Sequence, residues 1–183
     1  DDELNRAFHD QCWDEYLIQL QEEDSQILQS FAELNIDVGT LKDVYDRMSI
    51  FTDVQIPCEP VSRPDFDLIR LSLLPMIEDA LPYVPTTEPD KGWDKLQTKL
   101  RSASQMLRLY DMQDDMQILA LAKLFDAKLD VTQNRWPDKK QAKEFGEKFH
   151  DWQITVLFPF LQSWREYLYP KVIRFVLPVL DYC

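Results

Sequence analysis

Three glycines in 183 residues, set against eleven prolines, are too few to turn a β-architecture. Sandwiches, barrels and doubly wound sheets need many tight turns, and tight turns consume glycine. Gly39, Gly92 and Gly146 also lie more than fifty positions apart, so no phosphate-cradling loop or dinucleotide fingerprint can be assembled from them. No apolar run approaches the ~20 residues of a membrane span. The opening DDELNR is acidic where a secretory signal is basic and then apolar. Three cysteines, Cys12, Cys58 and Cys183, make no disulfide framework by their spacing, which points to a reducing intracellular compartment, nuclear or cytoplasmic. The absence of an initiator methionine and the apolar last residues, VLPVLDYC, predict a piece of a longer protein.

What is present is a core and a charge gradient. Apolar residues make up 45% of the chain and aromatics 12%, enough for a folded domain. The formal charge of −13 is concentrated at one end. Residues 1–60 carry fifteen acidic against three basic side chains, residues 61–137 twelve against ten, and residues 138–183 six against seven. An acidic surface repels phosphate backbones, so direct nucleic-acid binding is not expected.

Apolar spacing predicts an all-α fold: an irregular bundle, or a short repeat-like array, of six to seven helices, some bent at proline. Leu4, Phe8, Trp13, Leu17, Leu20, Ile27, Leu28, Phe31 and Leu34 mark a long first helix, bent near Glu22–Asp24 and stopped by Asn35 and Gly39. A second helix follows, with a capping box read from Thr40 and Asp43 and a stripe of Leu41, Val44, Tyr45, Met48 and Phe51. We read residues 1–183 as one helical domain, an acidic hairpin over 2–54 and a main body over 62–183. Loops at 55–64 and 82–92 separate a helix over 65–81 from one carrying Trp93, Leu96, Leu100, Ala103, Leu107 and Tyr110. After a break at 111–114 comes a helix with Met116, Leu119, Ala120, Leu124 and Phe125, and then one opening on Pro137 with Ala142, Phe145, Phe149 and Trp152 inward. A last apolar helix is expected beyond Pro170.

The phrases SLLPMIEDA (72–80), VLFPFLQSW (156–164) and FVLPVLDYC (175–183) each set a proline among apolar residues. Each marks a kink or a restart of a buried helix. Their spacing of 84 and then 19 residues fits no fixed repeat.

Chemistry is harder to place. Glu147 and His150 share a helix face in EKFH, but a di-iron bundle needs that pair twice and two further glutamates. His9 and Cys12 also share a face, two ligands short of a zinc site. Asp111, Asp114 and Asp115 fit an interhelix break with an aspartate N-cap better than a magnesium motif. No catalytic, cofactor or metal residue is assigned.

Eight aromatics between Phe145 and Tyr169 are too close in sequence for all to face one side of a helix. We place Trp152 in the core and expect Trp164, Tyr167 and Tyr169 to meet a partner. Glu22, Glu23 and Asp24, with almost no basic neighbours in sequence, suit a partner with a basic segment. The expectation is a non-enzymatic protein–protein interaction module, a scaffold or adaptor in a larger assembly. The alternative is an all-α enzyme, or a subunit of one, using inconspicuous carboxylates or tyrosines.

Overall fold

A computed structural model describes residues 2–50 and 56–182. It is all-α: no strand occurs among the described residues, and none of their helices is long and apolar enough to cross a membrane. The chain forms two compact units, one of residues 1–62 with 165–183, the other of residues 63–164. Residues 165–183, grouped above with the main body, cluster instead with the first unit.

The first unit contains α1 (Asp2–Glu23), α2 (Ser25–Glu33), α3 (Val38–Ser49) and the later turns of α8 (Phe158–Tyr182). The expected bend is a full break at Asp24, which separates α1 from α2. At the other end of α2, Asn35 takes φ 57°. Its N–H reaches the Ala32 carbonyl at 2.9 Å, and the Ile36 N–H reaches that of Phe31 at 2.9 Å. This is a Schellman close with asparagine at the left-handed position, and Ile36 and Phe31 are both buried beside it. Gly39 is no stop signal. It lies in the first turn of α3, whose N-cap is Asp37 accepting from Thr40 N at 2.7 Å, so the Thr40–Asp43 box is corrected.

Trp13, Phe31, Leu41 and Tyr45 form this unit's core with Val172, Ile173, Phe175 and Val176 of α8. The Phe175 ring meets Trp13, Tyr16 and Phe31 edge-on at 6.2, 5.6 and 5.1 Å, a geometry aromatic quadrupoles favour. Leu4 and Phe8, placed above on the buried stripe, are exposed. Phe51 falls outside the described residues. Cys12 is buried, as a small core residue would be, but it is also disulfide-bonded, whereas Cys58 is free. The expectation of no disulfide is overturned there, and the reducing-compartment reading loses its basis.

The second unit holds α4 (Asp67–Ala80), α5 (Lys95–Leu109), α6 (Asp115–Lys123), α7 (Lys139–Trp152) and the first turns of α8. Ile69, Leu73 and Ile77 of α4 are fully buried, as are Leu96 and Leu100 of α5 and Ile118 and Leu121 of α6. The break before α6 is capped by Asp114, which accepts from Met116 N and Gln117 N. Pro137 precedes the N-cap of α7 and does not open the helix: Asp138 is the cap, accepting from Lys140 N and Gln141 N.

Between α7 and α8 the chain runs through a π-helical stretch, Gln153–Leu157. In an unbroken α-helix Trp164 would sit about 100° around the axis from Phe145. Five residues with the wider i→i+5 bonding advance roughly 80° each and remove about 90° of that offset. Phe145, Phe149, Trp152, Leu157, Phe160 and Trp164 can therefore all face inward, and all six are buried. The buried Gln153 side chain donates to the Phe125 and Ala127 carbonyls at 2.6 and 2.8 Å, satisfying acceptors just past the end of α6.

Pro159 is the second residue of α8 and directly follows the π-helical stretch. Pro75, Pro170 and Pro178 lie inside helices, and α8 runs through Pro170 with no separate last helix. Each interior proline deprives the carbonyl four residues earlier of its donor. Those carbonyls belong to Leu71, Glu166 and Arg174, all exposed, so water can take the place of the lost N–H.

Candidate functional site

Along α1 the residues Gln11, Glu15, Gln19 and Glu23 recur every four positions, which on a helix makes a ladder. Gln11 Nε2 donates to Glu15 Oε1 at 2.8 Å, and Gln19 Nε2 donates to Glu23 Oε1 at 3.0 Å. A lysine in the glutamine positions would have neutralised each carboxylate, whereas an amide orients it and leaves the charge in place. Beside the ladder lies a groove of about 260 Å³, lined by Glu15, Tyr16, Gln19, Leu20, Glu23 and by Pro178 of α8. Its wall is fixed by Tyr16, whose hydroxyl donates to the Phe175 carbonyl at 3.2 Å. Burial raises the Tyr16 phenol above its ordinary range, so it stays a neutral donor at physiological pH.

Glu22 and Glu23 are exposed at the end of α1, and Asp24 is exposed at the break with no side-chain capping bond. None of the three is ion-paired among the described residues. One lysine of this unit is engaged away from that end of α1. Lys42 holds Asp10 at 2.7 Å and also pairs with Asp46. Its hydrogen bond to Asp10 keeps that carboxyl below the usual range.

The aromatic trio is not brought together as a surface. Trp164 is only 3% exposed, edge-on to Phe66 at 5.3 Å, because the π-helical stretch turns it inward. It is a core residue and not a partner anchor. Tyr167 is half-buried with Lys171 Nζ 4.9 Å from its ring centroid, and Tyr169 is half exposed.

A larger cleft of about 720 Å³ lies along α7 in the second unit, lined by Lys143, Glu147, His150, Phe158 and the 126–131 segment. Glu147 and His150 both line it, and Glu147 is 3.7 Å from Lys143. No group of three or more potential metal ligands occurs among the described residues. His9 Nδ1 is 3.2 Å from the Tyr45 hydroxyl, which itself donates to the His9 carbonyl at 3.1 Å. With Cys12 in a disulfide, no Cys–His nucleophile exists at that end. Asp111 accepts from Gln113 N, Asp114 caps α6, and Asp115 pairs with Arg70 and with Arg63 at 2.8 Å, so the aspartate cluster is structural.

The ladder was legible as QxxxExxxQxxxE, yet sequence reasoning passed over Gln11, Gln19 and Tyr16. Pro178 carries no signal of its own, because it reaches the groove only through the packing of α8. No protein-family model matches this chain, and neither does any curated protein or solved structure.

Proposed function

We propose that this chain is a non-enzymatic helical interaction module, a scaffold or adaptor that recruits a protein partner through a basic segment. The observation carrying the reading is the exposed acidic end of α1, where Asp14, Glu15, Glu22, Glu23 and Asp24 stand in solvent with no basic neighbour paired to Glu22, Glu23 or Asp24. Such a face raises the encounter rate with a basic partner and loses that advantage as salt rises. Replacing Glu22, Glu23 and Asp24 together by lysine should slow association with a lysine-rich protein segment several-fold and flatten its salt dependence, with helicity retained by circular dichroism. An unchanged on-rate and salt slope would reduce the face to a solubility device.

A second reading, an all-α enzyme or enzyme subunit, has the cleft along α7 in its favour, since its volume is within the ligand-site range of roughly 300–1,000 Å³. A turnover lost on His150→Ala and Glu147→Gln alike would move the assignment there.

A further inference from the structure

The groove between α1 and α8 has a size, a floor and a charge pattern that together describe its occupant. A volume of about 260 Å³ is below the usual range of small-molecule and cofactor sites, roughly 300–1,000 Å³. It suits one or two inserted side chains. Tyr16, Leu20 and Pro178 supply apolar surface, and Glu15 and Glu23 stand at either end with Gln19 between them. Eight residues of helix separate the two carboxylates by about 12 Å along the axis. Each already accepts one hydrogen bond from a neutral amide and retains its negative charge.

We infer that this groove receives one face of a basic amphipathic helix from a protein partner, with an apolar anchor at one position and a lysine or arginine four residues to either side. The anchor fills the space over Tyr16, Leu20 and Pro178. The flanking cations, also about 12 Å apart on their own helix, meet Glu15 and Glu23. The aliphatic stems of those cations lie along the groove while their heads stay at its charged rim. This is helix-in-groove recognition with the charges setting the register. The inference rests on the proposed acidic docking function and narrows it from a field to a site.

The test uses the full chain and two synthetic helical peptides of one composition. One carries leucine with lysines four residues before and after it; in the other the lysines are moved to the opposite helix face. Binding is measured by fluorescence anisotropy at low salt against wild type, Glu15→Gln, Glu23→Gln and, outside the groove, Glu22→Gln. The matched peptide is expected to bind more tightly than the shuffled one, and Glu15→Gln and Glu23→Gln to weaken it about threefold each, the scale of an exposed ion pair. Glu22→Gln, in the acidic face but outside the groove, should weaken both peptides alike and leave the preference for the matched one intact. If both peptides bind alike and Glu22→Gln weakens them as much as the groove substitutions, the groove is refuted while the acidic docking function stands. If neither peptide binds even at low salt, both fail.

Discussion

Asp94 is 4% exposed and is the polar hub of the second unit, so substituting it should reveal how that unit is held. One carboxylate oxygen accepts from Gln97 N at 2.8 Å and caps α5, while the Gln97 side chain returns a bond to Asp94 N at 2.9 Å. The other oxygen accepts from Thr132 N at 2.9 Å and from Trp136 Nε1 at 2.6 Å. Asp94→Asn keeps the shape but turns an NH₂ group toward one set of these donors. If the amide faces Thr132 and Trp136, two hydrogen bonds to a charged acceptor are lost, at roughly 1.5–3 kcal/mol each. If it flips, the loss falls on the helix cap, which costs about 1 kcal/mol, together with the loss of the charge. The amide takes the cheaper orientation, so the flip caps the loss; about 1 kcal/mol for the cap and about 1 for each of the two bonds whose acceptor loses its charge give about 3 kcal/mol, a large part of the roughly 5–15 kcal/mol that stabilises a domain. Urea unfolding followed by far-ultraviolet circular dichroism and tryptophan fluorescence measures it. Trp136→Phe removes the indole donor, so the double variant should lose at least about 1 kcal/mol less than the sum of the single ones. A stability of Asp94→Asn within about 0.5 kcal/mol of wild type, the range of ordinary surface changes, would refute the hub.

Trp164→Ala, at a residue expected from sequence to meet a partner, should cost about 3–5 kcal/mol in the same unfolding assay, as should Trp152→Ala, because both rings are buried. A Trp164→Ala protein as stable as wild type would reopen the surface assignment. The Asp37 cap predicts a pH effect. Hydrogen bonds from Thr40 N–H and Oγ1–H hold its carboxyl below the ordinary 3.8, so between the two values the unfolded chain binds more protons and stability rises with pH. Its contribution is fully present above 3.8 and is lost as pH falls through the depressed folded value. The thermal midpoint of wild type relative to Asp37→Asn should therefore decline on acidification through that window. A difference that stays constant down to strongly acidic pH would exclude the cap as its source.

Features that depend on local chemistry were legible in the sequence. A bend near Asp24, a helix stop at Asn35, the aspartate cap before α6 and the inward face of α7 follow from spacing and turn residues alone. What escaped depends on partners distant in the chain. Asp94 reads as an ordinary N-cap, because Thr132 and Trp136 are 38 and 42 positions away. Trp164 was misassigned because counting at 3.6 residues per turn fails across a π-helical stretch. Leu4 and Phe8 fit the periodic stripe of α1, yet they lie before Trp13, whose ring packs against Phe175 of α8. In the candidate site, the carboxylates and their spacing were visible, and the apolar wall that makes them a groove was not.

The first unit is assembled from the two ends of the sequence, and the second from one uninterrupted stretch between them. During synthesis, then, the two face different conditions. Residues 63–164 leave the ribosome in sequence and have every element they need. Trp13, Phe31, Leu41 and Tyr45 leave before that stretch, but the side chains that cover them, Val172 to Val179, follow only after it. At ~5–20 residues per second the interval between Met48 and Val179 is roughly 7–26 s, far longer than hydrophobic collapse takes. For that time the nascent chain carries unfinished apolar surface and must avoid its neighbours. Its carboxylates, fifteen among the first sixty residues, are then an electrostatic guard against premature association, in place before the core they protect can close.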